Sequence, residues 1–246
     1  MKKVPRTVLI RFSFIFSKIF SFFMRGNKYE CPICGGKFRK LFPYGIKGRD
    51  NALCPKCLSL ERHRLIWLYL KRETDFFTTP KKVLHVAPEQ PFIKLFRKMN
   101  NLDYTTGDLE SPLADIKFDI QNIPLADEAY DVVICNHVME HIDDDKKAMS
   151  EVYRIMKKGG MAFMQVPLEK TLEKTYEDKS ITNPQEREKH FRQRDHLRLY
   201  GRDYPSRLEK VGFKVTPVDY TKKMTAEEVK KYALSPREIL YLIEKK

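Results

Sequence analysis

"VLHVAPEQPFIKLF", residues 83–96, reads as a short apolar strand running into an amphipathic helix. A strand that turns directly into a helix opens a domain built on a parallel sheet, because the crossover helix packs back onto that sheet. The turn, Ala87-Pro88-Glu89-Gln90, contains no glycine. Glycine is required there when a cofactor lays a pyrophosphate against the backbone. The stretch therefore predicts an α/β fold and argues against a dinucleotide or ATP in its first turn.

Downstream, the alternation continues. Strands are expected at 82–87, 102–107, 115–119, 131–136, 160–166, 212–219 and 237–244, with helices at 91–99, 144–157 and 203–211. This pattern predicts a Rossmann-like sheet of seven strands with helices on both faces, over residues 81–246. Gly159-Gly160 marks the end of one helix. A polar insertion at about 168–200 has the length of a substrate lid or binding loop.

Upstream, the composition changes. The 246-residue chain carries a net charge of +14, and residues 1–28 hold seven basic groups and no acid. Residues 81–246 are close to neutral, so the excess positive charge would meet phosphate through the first third of the chain. Residues 29–80 form a second module. Cys31, Cys34, Cys54 and Cys57 are spaced C-x2-C-x19-C-x2-C, as in a structural four-thiolate zinc site. Arg39, Lys40, Lys47 and Arg49, interleaved with Phe38, Phe42 and Tyr44, suit RNA stacking and phosphate contact, or a solvated face with packed aromatics. A connecting helix follows at 59–79, with Leu60, Leu65, Ile66, Leu68 and Leu70 at helical spacing.

Residues 1–28 have a basic start and an apolar centre, yet Arg11 and Lys18 interrupt the apolar run and no small-residue cleavage site follows. Neither half supplies the roughly 20 apolar residues of a membrane span. On a helix ended by Gly26-Asn27, Arg11, Lys18 and Arg25 form one stripe, while Phe12, Phe16, Phe20 and Phe23 lie opposite. Such a helix suits the plane of an anionic membrane surface. The alternative is a helix that packs its aromatic face on the protein itself or on a second subunit.

The candidate site begins with "YTTGDL", in which Asp108 ends the second strand, where a carboxylate can accept both ribose hydroxyls of a nucleoside. Next come "IKFDIQNIPLADEAYDVVICNHVMEHI" (116–142) and "EVYRIMKKGGMAFMQVP" (151–167). With these segments, residues 81–221 resemble the class I S-adenosylmethionine-dependent methyltransferases, in particular methyltransferase type 11. The resemblance implies S-adenosyl-L-methionine as methyl donor. It places the ribose on Asp108, the adenine between Asp119 and Ile120, and the methyl-transfer chamber near Asn136 and His137. In "MEHI" it leaves His141 as a packed, hydrogen-bonded histidine. The opening turn departs from the family. His85 stands in the acidic place, and Ala87, Glu89 and Pro91 stand in the glycine places. A donor without phosphates tolerates that loss, and Glu89 could pair with its ammonium or sulfonium. Zinc-ribbon methyltransferases of this kind share an Asp-His-x-Arg-x-Tyr-Gly stretch, matched by Asp195, His196, Arg198, Tyr200 and Gly201. His196 could deprotonate a hydroxyl or amine, with His137 of the chamber as the other catalytic candidate, while Arg198 and Tyr200 hold the acceptor or else orient the helix near Asp203.

The expectation is thus a cytoplasmic enzyme, peripheral on the inner face of a membrane, that methylates a small or lipid-linked acceptor. An RNA methyltransferase gripping nucleic acid with its basic ribbon is the second reading. A binding or scaffold protein that lost catalysis with its glycines is the third.

Overall fold

Apolar runs bounded by turn residues set the elements along the chain. The computed structural model describes residues 17, 19–45 and 48–246. In chain order, β1 (Arg25–Glu30), β2 (Lys37–Phe38), β3 (Phe42–Tyr44) and β4 (Arg49–Leu53) precede helix α1 (Glu61–Glu73). Then come β5 (Lys81–Val86), α2 (Gln90–Phe96), β6 (Leu102–Asp108), β7 (Ile116–Lys117), β8 (Tyr130–Ile134) and a 3-10 turn at Met139–His141. They are followed by α3 (Asp145–Ile155), β9 (Met156–Phe163), β10 (Tyr176–Glu177), α4 (Pro184–Phe191) and β11 (Arg198–Leu199). Last are α5 (Tyr204–Glu209), β12 (Phe213–Val218), a 3-10 turn at Tyr220–Lys223, α6 (Ala226–Lys231) and β13 (Leu240–Lys245).

Contacts divide the chain into two units. The first holds the described residues up to Thr79, with Glu89–Asn101 and Asp219–Ile239. Two short antiparallel pairs, β1 with β2 and β3 with β4, frame the cysteines. Helix α1 buries the apolar face expected of it, including Leu65, Ile66, Leu68 and Leu70. The buried Arg64 explains why distant segments join this unit. Its Nε and Nη2 donate to the Tyr232 and Ala233 carbonyls at 2.8 and 2.6 Å, and its Nη1 donates to those of Ala52 and Ser59 at 2.9 Å. Trp67 lies nearly parallel to Phe92 and Phe96, at 6.5 and 6.2 Å between centroids. The boundary between units therefore does not follow chain order at residue 81.

Residues 19–23 are helical, and β1 starts at Arg25, so Gly26 lies in a strand and does not end the helix. A Cβ on Gly26 would come within 2.8 Å of the Arg39 backbone nitrogen, so β1 needs glycine for its close approach to the chain beside β2. Most of the expected N-terminal helix, including Arg11 and Lys18, lies outside the described residues, as does Lys47 of the basic ribbon set. Among the described residues no helix is long and apolar enough to cross a membrane.

The second unit comprises Pro80–Pro88, Leu102–Val218 and Leu240–Lys246. Its seven strands are ordered β12-β13-β9-β8-β5-β6-β7. β5 to β9 run parallel where they pair, while β13 is antiparallel to both β9 and β12. Val83, Leu84, Val132, Val133, Ile134, Ala162 and Phe163 are buried, as expected of strands covered on both faces. Helix α3 packs on β9 and α5 on β12. Helix α3 ends at Ile155, and Gly159-Gly160 sits in β9 where its register with β8 slips, so the glycines serve an irregular strand. The insertion is ordered, with β10 pairing β11 through Tyr176–Leu199 and Glu177–Arg198.

Candidate active site

The second unit places its polar groups at the carboxyl ends of the parallel strands. Strand β5 pairs with β6 on one side and β8 on the other, so chain order reverses there, and ligands of open α/β sheets bind at such a point. Ala87 leaves β5 with φ at 48° and donates from its backbone nitrogen to the Gly107 carbonyl at 2.8 Å. It thus takes the left-handed conformation natural to glycine, at a cost on the order of 1 kcal/mol. The turn keeps a glycine-type backbone without the glycine. At the end of β6, Asp108 accepts through Oδ1 from the backbone nitrogens of Glu110 (2.8 Å) and Ser111 (2.7 Å), which fixes its carboxylate in orientation. Past β7, Asp119 is exposed and accepts from the Gln121 nitrogen at 2.8 Å, while Ile120 is buried beside it. After β8, Asn136 Oδ1 accepts from the Gln165 nitrogen at 3.1 Å.

Other expected cofactor residues are engaged elsewhere. His85 is fully buried on β5, with Nδ1 at 2.8 Å from the Tyr104 hydroxyl. Glu89 belongs to the first unit. There His63 Nδ1 accepts from the Leu60 nitrogen, so its Nε2 carries the proton and donates to Glu89 Oε1 at 2.5 Å. Arg62 Nε lies 3.7 Å from the same oxygen.

His137 and His196, the two catalytic candidates, come together with Glu140 and His141. One ligand atom each from Glu140, His141 and His196 lie within 4.8 Å of one another. His137 adopts φ of 55° and sets Nδ1 at 3.3 Å from Glu140 Oε1. Burial lowers the basicity of His196, with the Glu140 charge opposing that effect. Sequence reasoning passed over Glu140 and treated His141 as packing. The available signal was the spacing H-x-x-E-H over 137–141, which puts three ligand-type side chains on one turn.

Arg198 and Tyr200, expected at the acceptor, hold this turn in place. Arg198 is buried and donates to the carbonyls of Met139 (2.9 Å), Ile142 and Asp143 (2.8 Å), and to Glu177 Oε2 at 3.0 Å. The Tyr200 hydroxyl donates to Asp145 Oδ2 at 2.6 Å, and burial pushes its ionisation well above the usual range. Arg207 closes the network with two 2.8 Å bonds to Asp145. These bonds tie Arg198 and Tyr200 to the Met139–Asp143 turn and to Asp145 at the start of α3.

In the first unit, the four cysteine sulfurs lie within 4.8 Å of one another. Cys31 and Cys57 are 3.5 Å apart, and Cys34 and Cys54 are 3.7 Å apart. Four sulfurs about a tetrahedral zinc, each near 2.3 Å from it, stand about 3.8 Å apart, so the donor set fits one such ion. The Ser59 hydroxyl lies 3.3 Å from Cys31 Sγ and 3.2 Å from Cys57 Sγ, as a partner outside the ligand set. Hydrogen bonds from Cys34, Cys54 and Cys57 hold the Cys31 thiol well below its ordinary range. Hydrogen bonding with Cys31 and Cys34 pushes Cys54 and Cys57 up.

Residues 73–164 match the family model described as a methyltransferase domain. No curated protein matches the chain in sequence. Among solved structures, the [4+2]-cyclase SpnF aligns at a TM-score of 0.53 and 15% identity, over 87% of this chain and 90% of that one. A SAM-dependent methyltransferase from Archaeoglobus fulgidus aligns at 0.48 and 17% identity, over 74% of this chain and 93% of that one. Identities this low speak for the fold alone. Residues 73–164 thus carry a methyltransferase domain within the seven-stranded sheet.

Proposed function

We propose that the protein methylates a small or lipid-linked acceptor at an anionic membrane surface. The methyltransferase domain over residues 73–164 carries the reaction class. S-adenosylmethionine, when bound, supplies a methyl group activated by a sulfonium. Asp108 would take the ribose hydroxyls, Asp119 and Ile120 the adenine edge, and the Ala87 and Asn136 backbones the methionyl end. The residues after β8 would align the acceptor, since methyl transfer depends on in-line geometry as much as on a base. A structural zinc on the four cysteines would leave no open position, so it stays outside the chemistry.

The membrane part rests on residues 17 and 19–25. Ser17 is buried, whereas Phe22 and Phe23 are 61% and 67% exposed, with the Arg25 guanidinium 4.9 Å from the Phe22 ring centroid. Exposed aromatics beside cations suit a headgroup layer. In co-sedimentation, the full-length chain is expected to pellet with vesicles of phosphatidylglycerol and phosphatidylcholine. The Phe22→Ser/Phe23→Ser double variant should stay in the supernatant. Equal pelleting of both proteins, or of neither, sinks the membrane reading. Tight RNA binding with a steep salt dependence would favour the second reading, which the exposed Arg39 and Lys40 support.

A further inference from the structure

Glu140 presents an electrostatic problem that its neighbours do not solve. Its carboxylate is 2% exposed, and Oε2 is buried with no hydrogen-bond partner among the described residues. Its side-chain partner among the described residues is His137 Nδ1, at 3.3 Å from Oε1. The other ring nitrogen, His137 Nε2, is also buried without a hydrogen-bond partner among those residues. Leaving a carboxylate in this state costs several kcal/mol unless a cation compensates it.

The two histidines beside it are prepared in the same way. His196 Nδ1 lies 3.1 Å from the Phe191 carbonyl, which can only accept, so Nδ1 carries the proton and Nε2 keeps its lone pair. His141 Nδ1 lies 3.2 Å from the Asp195 carbonyl and 3.4 Å from Asp195 Oδ2, which assigns the same tautomer. A backbone carbonyl or carboxylate holding the far ring nitrogen is the usual outer partner of a metal-bound histidine. The rings meet edge to face at 4.8 Å between centroids. The backbone is held too, since the Leu197 nitrogen donates to the Glu140 carbonyl at 2.8 Å and Arg198 pins Met139, Ile142 and Asp143.

We infer that Glu140, His141 and His196 bind one divalent first-row metal ion, separate from the four-cysteine cluster, with His137 at its edge. Two imidazoles and one carboxylate leave coordination positions open, as in sites that bind a second molecule through oxygen. The acceptor class follows on the methyltransferase reading alone, and the metal binding does not depend on it. The acceptor would be an alcohol, phenol or vicinal diol whose hydroxyl oxygen joins the ion and ionises more readily there.

The test is a Mn²⁺ titration of the full-length, zinc-loaded protein, followed by loss of the free-ion electron paramagnetic resonance signal. Thiolates prefer zinc, so the filled cysteine cluster does not compete for manganese. Wild type is expected to bind one Mn²⁺ per chain saturably. His141→Ala and Glu140→Gln should each weaken that affinity at least tenfold, with zinc content and circular dichroism unchanged. His141 is partly exposed, so its truncation keeps the test valid even if Glu140→Gln disturbs the fold. Absence of saturable Mn²⁺ binding by wild type, or binding that His141→Ala leaves unchanged, overturns the inference. S-adenosylhomocysteine titration of the same samples separates this failure from failure of the methyltransferase assignment.

Discussion

A carboxylate at the end of a strand is useful to a nucleoside only when it is held still. Asp108 meets that condition, since the Glu110 and Ser111 nitrogens fix Oδ1. Asp108→Asn keeps an acceptor for those bonds and removes the charge that strengthens bonds from ribose hydroxyls. A hydrogen bond to a charged group contributes about 1.5–3 kcal/mol, so S-adenosylhomocysteine should bind roughly ten- to a hundredfold more weakly. Calorimetric titration reads the change, and an unaltered dissociation constant would move the ribose away from Asp108. The place of this residue at the end of β6 was legible because an acidic group closes the strand there. The roles of Arg198 and Tyr200 were not. An arginine that binds an anion and one that pins backbone carbonyls look alike until the Met139–Asp143 turn folds against it. Glu140 escaped for a related reason, since His141 meets Asp195 across 54 residues of sequence.

Elements were legible where periodicity was strong and blurred where packing decides the ends. The buried strands β5 and β8 announce themselves as unbroken apolar runs, whereas Gly159-Gly160 looked like a helix end and proved to be an irregular stretch of β9. Helix α3 also ties down the chain before β8. Glu151 Oε2 accepts from the Ile123 nitrogen at 2.8 Å, and Arg154 donates to the carbonyls of Ile123 and Leu125 and to Asp127. The Arg154 guanidinium, with the Ile123 nitrogen, holds the Glu151 carboxyl below its ordinary value of 4.5. A depressed folded value means that the unfolded chain takes up the proton first. The stability from Glu151 is therefore present above pH 4.5 and lost as pH falls below it. In urea unfolding, the wild-type midpoint should drop more steeply than that of Glu151→Gln as acid is added below pH 5. Parallel curves would assign the acid sensitivity to other groups.

Over the whole molecule, charge and cysteine chemistry are concentrated in the same third of the sequence. The double C-x2-C pairs were legible at once. Recruitment of residues 89–101 and 219–239 to that unit was not, because it depends on Trp67 packing on Phe92 and Phe96 and on Arg64 reaching carbonyls 168 and 169 residues away. The strand pairs flanking the cysteines are short, with two residues in β2 and three in β3, too little hydrogen-bonded ladder to hold the segment alone. An ion on Cys31, Cys34, Cys54 and Cys57 would supply the missing cross-link, and its binding free energy would count directly as folding free energy. Without it, sulfurs 3.5 and 3.7 Å apart lose the shared cation and must reprotonate. Helix α1 keeps its own buried apolar face, so the loss should concentrate in the strands. Chelation is therefore expected to release one zinc per chain and to raise amide exchange over residues 31–57 at least tenfold. Residues 61–73 should stay protected. Exchange that is unchanged over 31–57 after the zinc has left would show that the strands hold the module without metal.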